Sequence, residues 1–502
     1  MTTRTRREFL ASLARVSAGA AMSCAVPAPL LAAAPRPRVL VIGAGLSGLR
    51  CALLLEDQGC DVTVIEGRSR IGGRLETLAE VPGRPEAGGS VLGRSYARMR
   101  SMAERAGAEL ATPAMGHGPK TGPCKSCHAQ GKVPDRRGGP GQLIAWRGRL
   151  ILEGDWIDAL PGLSERERGV TPDRLMATYV QTANPLPDAE AWTRPEFAKF
   201  DDTSLEAYLQ GLGATPTALE LMNVAPNCPG LARASSLWAL RDGQRRAAAA
   251  GGLPLEFVGG STAFVAKLAA TLRTRPVTGK VVTAIGSAPD RVVVRCADGS
   301  AFDADFAIST LPLPILSRIA LDPAPPSDQA AAFRQIGYTP ITRIYYRIRR
   351  PFWEQDGLPV TMWTDSAIER VFPLRDDSGA VVALVSHADG PGAEELDSLG
   401  DRNRHRHAER ELARLRPATK GAVEAVATTS WATDRFAGGA YPCYAPGQIG
   451  RLRPAVARPL GRLHFAGEHT AVTQPGMEGA AESADRAVAE VLARIAPAAS
   501  SG

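Results

Sequence analysis

The stretch from Arg38 to Glu66 limits the possible folds of this 502-residue chain more than any other. An apolar run, Arg38-Val-Leu-Val-Ile42, leads straight into Gly43-Ala-Gly45-Leu-Ser-Gly48. The glycines open a helix through about Gln58, and a second run, Asp61-Val-Thr-Val-Ile65, ends in Glu66. Strand, glycines, helix, strand and acid in that order predict a βαβ unit that binds a dinucleotide, where G-x-G-x-x-G alone would be a weak signal. Gly43 permits the tight turn, Gly45 lets the backbone approach a pyrophosphate, and Gly48 lets helix and strand pack closely. The helix N-terminus then offers free N–H groups and partial positive charge to the phosphates. Glu66 stands where a carboxylate holds a ribose hydroxyl, which favours a ribose without a 2′-phosphate.

The next residues separate FAD from NAD. Arg68-Ser-Arg-Ile-Gly72-Gly73-Arg74 follows on Glu66 and is similar to the E-x-R-x-x-x-G-G-R stretch of flavin-containing amine oxidases, the monoamine oxidases among them. The resemblance implies that the glycine pair passes close to the cofactor and that Arg68, Gly73 and Arg74 contact it. Glu86-Ala-Gly88-Gly89-Ser90 resembles the D-x-G-G segment near the flavin ring, which adds Gly88 and Gly89. Phe257-Val-Gly-Gly260 and the helix from Ala263 to Leu272 resemble the middle section of the family. Val281–Ile285 matches the strand whose backbone holds the adenine, with Val282 as the contact, and Ile308-Ser-Thr-Leu-Pro312 matches a strand end that returns to the cofactor. Pro351-Phe-Trp353 is similar to a substrate-domain landmark. His464-Phe-Ala-Gly467-Glu468 and Gly476-Met477-Glu478-Gly479-Ala480 look like the second flavin signature. There Glu468 would bind the ribityl-phosphate region, and the helix N-terminus at Met477 would stabilise reduced, anionic flavin.

The resemblance therefore implies an α/β fold. A discontinuous Rossmann-type FAD-binding domain (36–110, 250–330 and 430–497) would carry an inserted mixed α+β substrate domain (145–249 and 331–429). An extra loop, 111–144, would interrupt it.

On the substrate side the family holds the amine between two aromatic rings over the flavin. Tyr441 matches one, while Gly476 stands where monoamine oxidases have the second, so the cage is open there or another residue fills it. Ala440 stands where monoamine oxidases carry the cysteine that bonds the flavin, so FAD should be non-covalent; Cys443, three residues on, reads as a buried thiol. The lysine that holds a water at flavin N5 in many family oxidases falls on Arg343. Arginine is larger, planar and permanently charged, which puts fast reaction with oxygen in doubt. The implied chemistry is hydride removal from the carbon next to a neutral amine nitrogen, with hydrolysis of the imine in water and no side-chain base required.

The N-terminus speaks for the compartment. Thr5-Arg6-Arg7-Glu8-Phe9-Leu10 is a twin-arginine export signal, with Ala32-Ala33-Ala34 as a cleavage site, so residues 1–34 are expected to be removed and the protein to be periplasmic. Arg15, Pro27 and Pro29 interrupt the apolar stretch, and nothing later is apolar long enough to span a bilayer. The signal carries four arginines and one glutamate; taking this +3 from the net +7 leaves +4, too little to imply nucleic acid. The locally basic run Arg402–Arg416 reads as a solvated helix face, or as a docking patch for an acidic redox partner.

One motif stands apart from the flavin signatures. Cys124-Lys-Ser-Cys127-His128 lies in a Gly- and Pro-rich segment that lengthens the chain. In an exported protein, C-x-x-C-H attaches a c-type haem; a disulfide or dithiol, a zinc site and chance are the other readings. As haem c, Cys124 and Cys127 would form the thioethers and His128 would ligate the iron. Met115 and His117 are near in sequence as a sixth ligand, but it could come from anywhere.

The expected function is that of a periplasmic amine dehydrogenase, passing electrons from FAD to haem c and on to a soluble cytochrome c or cupredoxin. The alternatives are a peroxide-forming amine oxidase, a carbon–carbon desaturase and a non-enzymatic flavin-bearing assembly subunit. Tyr441 at the cage position argues against the desaturase.

Overall fold

Four parallel strands make the sheet that carries the glycine motif, in the order Leu463–Phe465, Phe306–Ser309, Arg38–Ile42, Asp61–Ile65. The computed structural model describes residues 36–112, 141–156, 160–248, 254–376 and 378–495; the export signal and Cys124, Cys127 and His128 lie outside them. Parallel strands are covered on both faces and so read as unbroken apolar runs. Val39, Leu40, Val41 and Ile42 accordingly show 1% exposure or less. The helices Leu46–Asp57 and Gly476–Ile495 pack against each other on this sheet. Small residues at their contact (Ala52, Ala481, Ala484) bring the backbones close, and Ser47 Oγ meets Ser483 Oγ at 3.2 Å. The first and the last flavin signature are thereby fixed side by side.

A second sheet is a meander of Val282–Ser287, Val292–Cys296 and Ala301–Ala304, with Ala320–Asp322 added in parallel at one edge. The third has seven strands, in the order Val423–Ser430, Ile341–Ile348, Val381–Asp389, Arg370–Arg375, Met362–Thr364, Leu143–Trp146, Arg149–Leu152. One face of this large sheet packs through Ile344, Tyr346 and Leu384 onto the helices Gly390–Ser398 and Asp401–Leu415. The other face packs through Tyr345, Ala383 and Val385 against Val81, in the loop that also carries Gly88 and Gly89. The architecture is the expected α/β one, a Rossmann-type parallel sheet with further sheets.

Several boundaries differ from the sequence reading. Leu143–Trp146 begins inside the segment expected to be loop, and Leu110–Ala111 pairs with Glu256–Phe257. The strand expected to hold the adenine runs Val282–Ser287, one to two residues later than expected. Most of the basic run is a helix, but two of its arginines are not solvated. Arg404 is buried against Asp397 and Asp401, and Arg416 is buried with its Nε and Nη2 donating to Asp356. Long basic side chains near a sheet edge fill space as well as carry charge, which a count of charges does not reveal. Among the described residues no helix is long and apolar enough to cross a membrane.

Candidate active site

The glycine turn is built by close contact. A Cβ at Gly48 would lie 1.9 Å from the Gly43 carbonyl oxygen, so no other residue lets this helix start so near its strand. Gly43 N–H donates to Ile65 O at 2.7 Å, which fastens the turn to the next strand. Gly45, the N-cap, supplies no side-chain cap, and no acid occupies the first turn. The first N–H groups of an α-helix have no partner within it, so this end is suited to an anion.

Glu66 is buried and accepts from two backbone N–H groups, Ala44 to Oε2 and Arg68 to Oε1, both at 2.8 Å. Its carboxylate thus ties the glycine turn to the arginine segment. Arg68 makes a two-point ion pair with Asp434 and lies over the ring of Phe436, 5.1 Å from its centroid. Arg74 Nη1 donates to Ala440 O, next to Tyr441. Glu468 Oε1 accepts from Gly476 N–H at 3.3 Å, while the buried Glu468 Oε2 has no partner. Burial raises the Glu468 carboxyl, against the pull of Arg74.

Gly43, Gly45, Glu66, Arg68, Gly73, Arg74, Gly88, Gly89, Val282, Gly467, Glu468 and Met477 all line one cavity, together with Arg343, Tyr441 and Gly476. Gly48 stands behind the wall at the strand–helix contact. Ala440 is also in the lining, and Cys443 is buried outside it. Cys124, Cys127 and His128 fall outside the described residues, and among those described no cluster of three metal-ligating side chains is present.

The residues fit FAD. An uncapped helix end meets a slot walled by glycines, and a buried carboxylate oxygen waits for a donor. An unpaired oxygen of this kind is costly unless a ligand hydroxyl satisfies it.

At the far end, Arg343 comes up from Ile341–Ile348, the strand next to one edge of the large sheet. Its Nη1 donates to Glu86 O at 2.7 Å, and its Nε donates to His387 Nδ1 at 3.0 Å. Tyr441 donates its hydroxyl to Asn227 O at 3.1 Å. Burial raises the Tyr441 phenol well above the usual tyrosine range, with Asp389 and Asp242 adding to it. Gly476 has φ +63°, and a Cβ there would meet nothing within 4 Å. A side chain at 476 would therefore enter open space. Asp434, Phe436, His387 and Asn227 are absent from the sequence reading. Asp434 and Phe436 both lie within the run 431–441 that leads to Tyr441, but nothing local marks His387 or Asn227.

Comparison with known proteins agrees with this geometry. Residues 46–492 match the family of flavin containing amine oxidoreductases. The chain is 25% identical over 477 residues to flavin-containing amine oxidase B of Homo sapiens, covering 90% of this chain and 86% of that protein. It is 24% identical over 475 residues to flavin-containing amine oxidase A of Sus scrofa. The fold matches cyclohexylamine oxidase from Brevibacterium oxydans with a TM-score of 0.71 at 18% identity, over 92% of this chain and all of the other. It matches putrescine oxidase bound to putrescine with a TM-score of 0.70 at 22% identity. The cofactor is accordingly FAD, and the chain belongs to the flavin-containing amine oxidoreductase family.

Proposed function

We propose that the protein is a periplasmic amine dehydrogenase that oxidises an amine to an imine and gives its electrons to a one-electron carrier rather than to oxygen. One observation carries this reading. Arg343, in the cavity wall, is held by Glu86 O and His387, and the sequence resemblance aligns it with the lysine that holds a water in family oxidases. A guanidinium is bulky and permanently charged, and it does not reproduce a mobile water on an ammonium group.

Bound in the cavity, FAD supplies the hydride acceptor. The helix end at Gly45 would hold the pyrophosphate, and Glu66 and Glu468 would accept from hydroxyls. Tyr441 offers one aromatic wall to the amine. Its phenol stays neutral, because burial raises it, and its proton is engaged by Asn227 O, so it is no base. The opening at Gly476 admits bulky amines.

Cys124, Cys127 and His128 would carry haem c as the first acceptor, with a soluble cytochrome c or cupredoxin beyond it. Support comes from the twin-arginine motif together with the C-x-x-C-H spacing. A spectrum of protein exported in a haem-attaching host, before and after dithionite, tests this. Low-spin haem bands beside the flavin are expected, and flavin alone would remove the haem from the account.

A second reading, an oxidase that makes hydrogen peroxide, is favoured by the relatives' names, which include amine, cyclohexylamine and putrescine oxidases. Peroxide formed in step with amine consumed would select it.

A further inference from the structure

A row of polar side chains crosses the large sheet where it meets the cofactor cavity. In the register of the strands Arg343 stands opposite Thr429 on one side and His387 on the other, and His387 stands opposite Arg370. Side chains two residues apart on a strand share a face. Two residues along, Tyr345, Val385 and Phe372 pack as an apolar patch against Val81, so the polar row interrupts an otherwise apolar surface.

The hydrogen bonds set the state of each group. Arg343 Nε can only donate, so His387 Nδ1, 3.0 Å away, must be an unprotonated acceptor. The ring proton is then on Nε2, which lies 3.9 Å from Asp389 Oδ2. Asp389 Oδ2 accepts from Arg370 Nη2 at 2.8 Å, and its Oδ1 accepts from Asn227 N–H at 2.8 Å. Asn227 O takes the Tyr441 hydroxyl. Glu369 Oε2 accepts from Asp389 N–H at 2.9 Å. The imidazole thus lies between two guanidiniums, with two buried carboxylates at the far end. Burial and both arginines lower its basicity well below the histidine norm.

We propose that His387 is a positioning residue. As a neutral acceptor at Nδ1 it fixes the Arg343 guanidinium against the Glu86 carbonyl, and so sets where that cation stands in the cofactor cavity. The proposal rests on the reading of Arg343 given above. A free arginine side chain samples many rotamers, and one bond to a loop carbonyl leaves its plane undetermined. The second bond, to a ring held in the sheet, fixes the plane.

The test uses the holoprotein with FAD reduced by light and a sacrificial donor, so that no amine is needed. Reoxidation by oxygen and by ferricyanide is followed by flavin absorbance. His387→Leu, which keeps bulk but lacks the acceptor, should change the reoxidation rate by about tenfold, the effect of losing one hydrogen bond to a charged group. His387→Asn, whose Oδ1 stands near the place of Nδ1, should return the rate to within about threefold of the parent. In an Arg343→Met background His387→Leu should change nothing further, because its effect passes through Arg343. Nitrogen NMR of the histidine-labelled holoprotein near neutral pH should show His387 with an unprotonated Nδ1 and a protonated Nε2. Equal effects of Leu and Asn, an undiminished effect in the Arg343→Met background, or a protonated Nδ1 would overturn the proposal. The NMR result stands even if a variant fails to fold. If no amine bleaches the flavin, the dehydrogenase reading fails while these rates still report on His387.

Discussion

Arg68 and Asp434, 366 residues apart, meet as a two-point ion pair with distances of 2.6 and 2.8 Å. The pair joins the first flavin signature to the stretch that carries Tyr441. Asp434 also accepts from Phe436 N–H at 2.8 Å, and the Phe436 ring lies under the Arg68 guanidinium. Burial alone would raise the Asp434 carboxyl, but Arg68 holds it below the usual carboxylate range. The cavity wall at this point is therefore one fixed unit of two charges and a ring.

Asp434→Asn keeps the shape and removes the charge, leaving Arg68 half-buried without its partner. The expected cost is about 1–2 kcal/mol of stability, less than for a fully buried pair because both side chains keep some exposure. FAD affinity should fall by about tenfold, since Arg68 loses its orientation at the cavity. Denaturant unfolding and FAD titration of the apoprotein measure the two effects. Equal affinity in the variant would mean that Arg68 does not need Asp434 to meet the cofactor.

Flavin should be released when the holoprotein is precipitated with acid. Ala440 lines the cavity and offers no sulfur, and Cys443 is buried outside the lining. Yellow colour retained in the pellet would contradict a non-covalent FAD.

Gly476 combines open space with a backbone angle that side chains disfavour. Gly476→Ala should therefore cost about 1 kcal/mol through strain alone. Gly476→Tyr should carry the same strain and also narrow the pocket, shifting preference toward small linear amines by at most a few kcal/mol in transition-state terms. The ratio of kcat/KM for a small and a bulky amine, compared between the two variants, separates ring from strain. An identical ratio in both would show that the side chain at 476 does not face the substrate.

The βαβ unit and the glycine signatures are legible in the sequence because their code is local. A turn that permits no Cβ, as at Gly48, declares itself in a few neighbouring residues. The second half of the site is not local. Arg343, His387 and Arg370 meet through strand register, and Asp434 reaches Arg68 across most of the chain. No periodicity announces such pairs. The basic run 402–416 misleads for the same reason, since the partners that bury Arg404 and Arg416 include Asp397 and Asp356, outside the run.

Glu256 gives a pH test. Burial, with repulsion from Glu86, pushes its carboxyl up to about 7. Between its unfolded value of roughly 4.5 and about 7 the folded chain keeps a proton that the unfolded chain has lost. Stability from this group is therefore full below that window and declines as pH rises through it. Glu256→Gln should match the parent near pH 4 and exceed it at pH 8 by about 1–2 kcal/mol, allowing for solvent screening of a partly exposed group. Denaturant midpoints at the two pH values check this, and an equal offset at both would contradict it.

The most direct test mixes the oxidised holoprotein with a panel of amines without oxygen, in a stopped-flow spectrometer, and then mixes the reduced protein with air-saturated buffer or with a soluble cytochrome c. An amine should bleach the flavin, cytochrome c should restore it quickly, and air should restore it slowly with little peroxide. Rapid recovery in air with peroxide equal to the amine consumed would make the protein an oxidase and contradict the role given to Arg343.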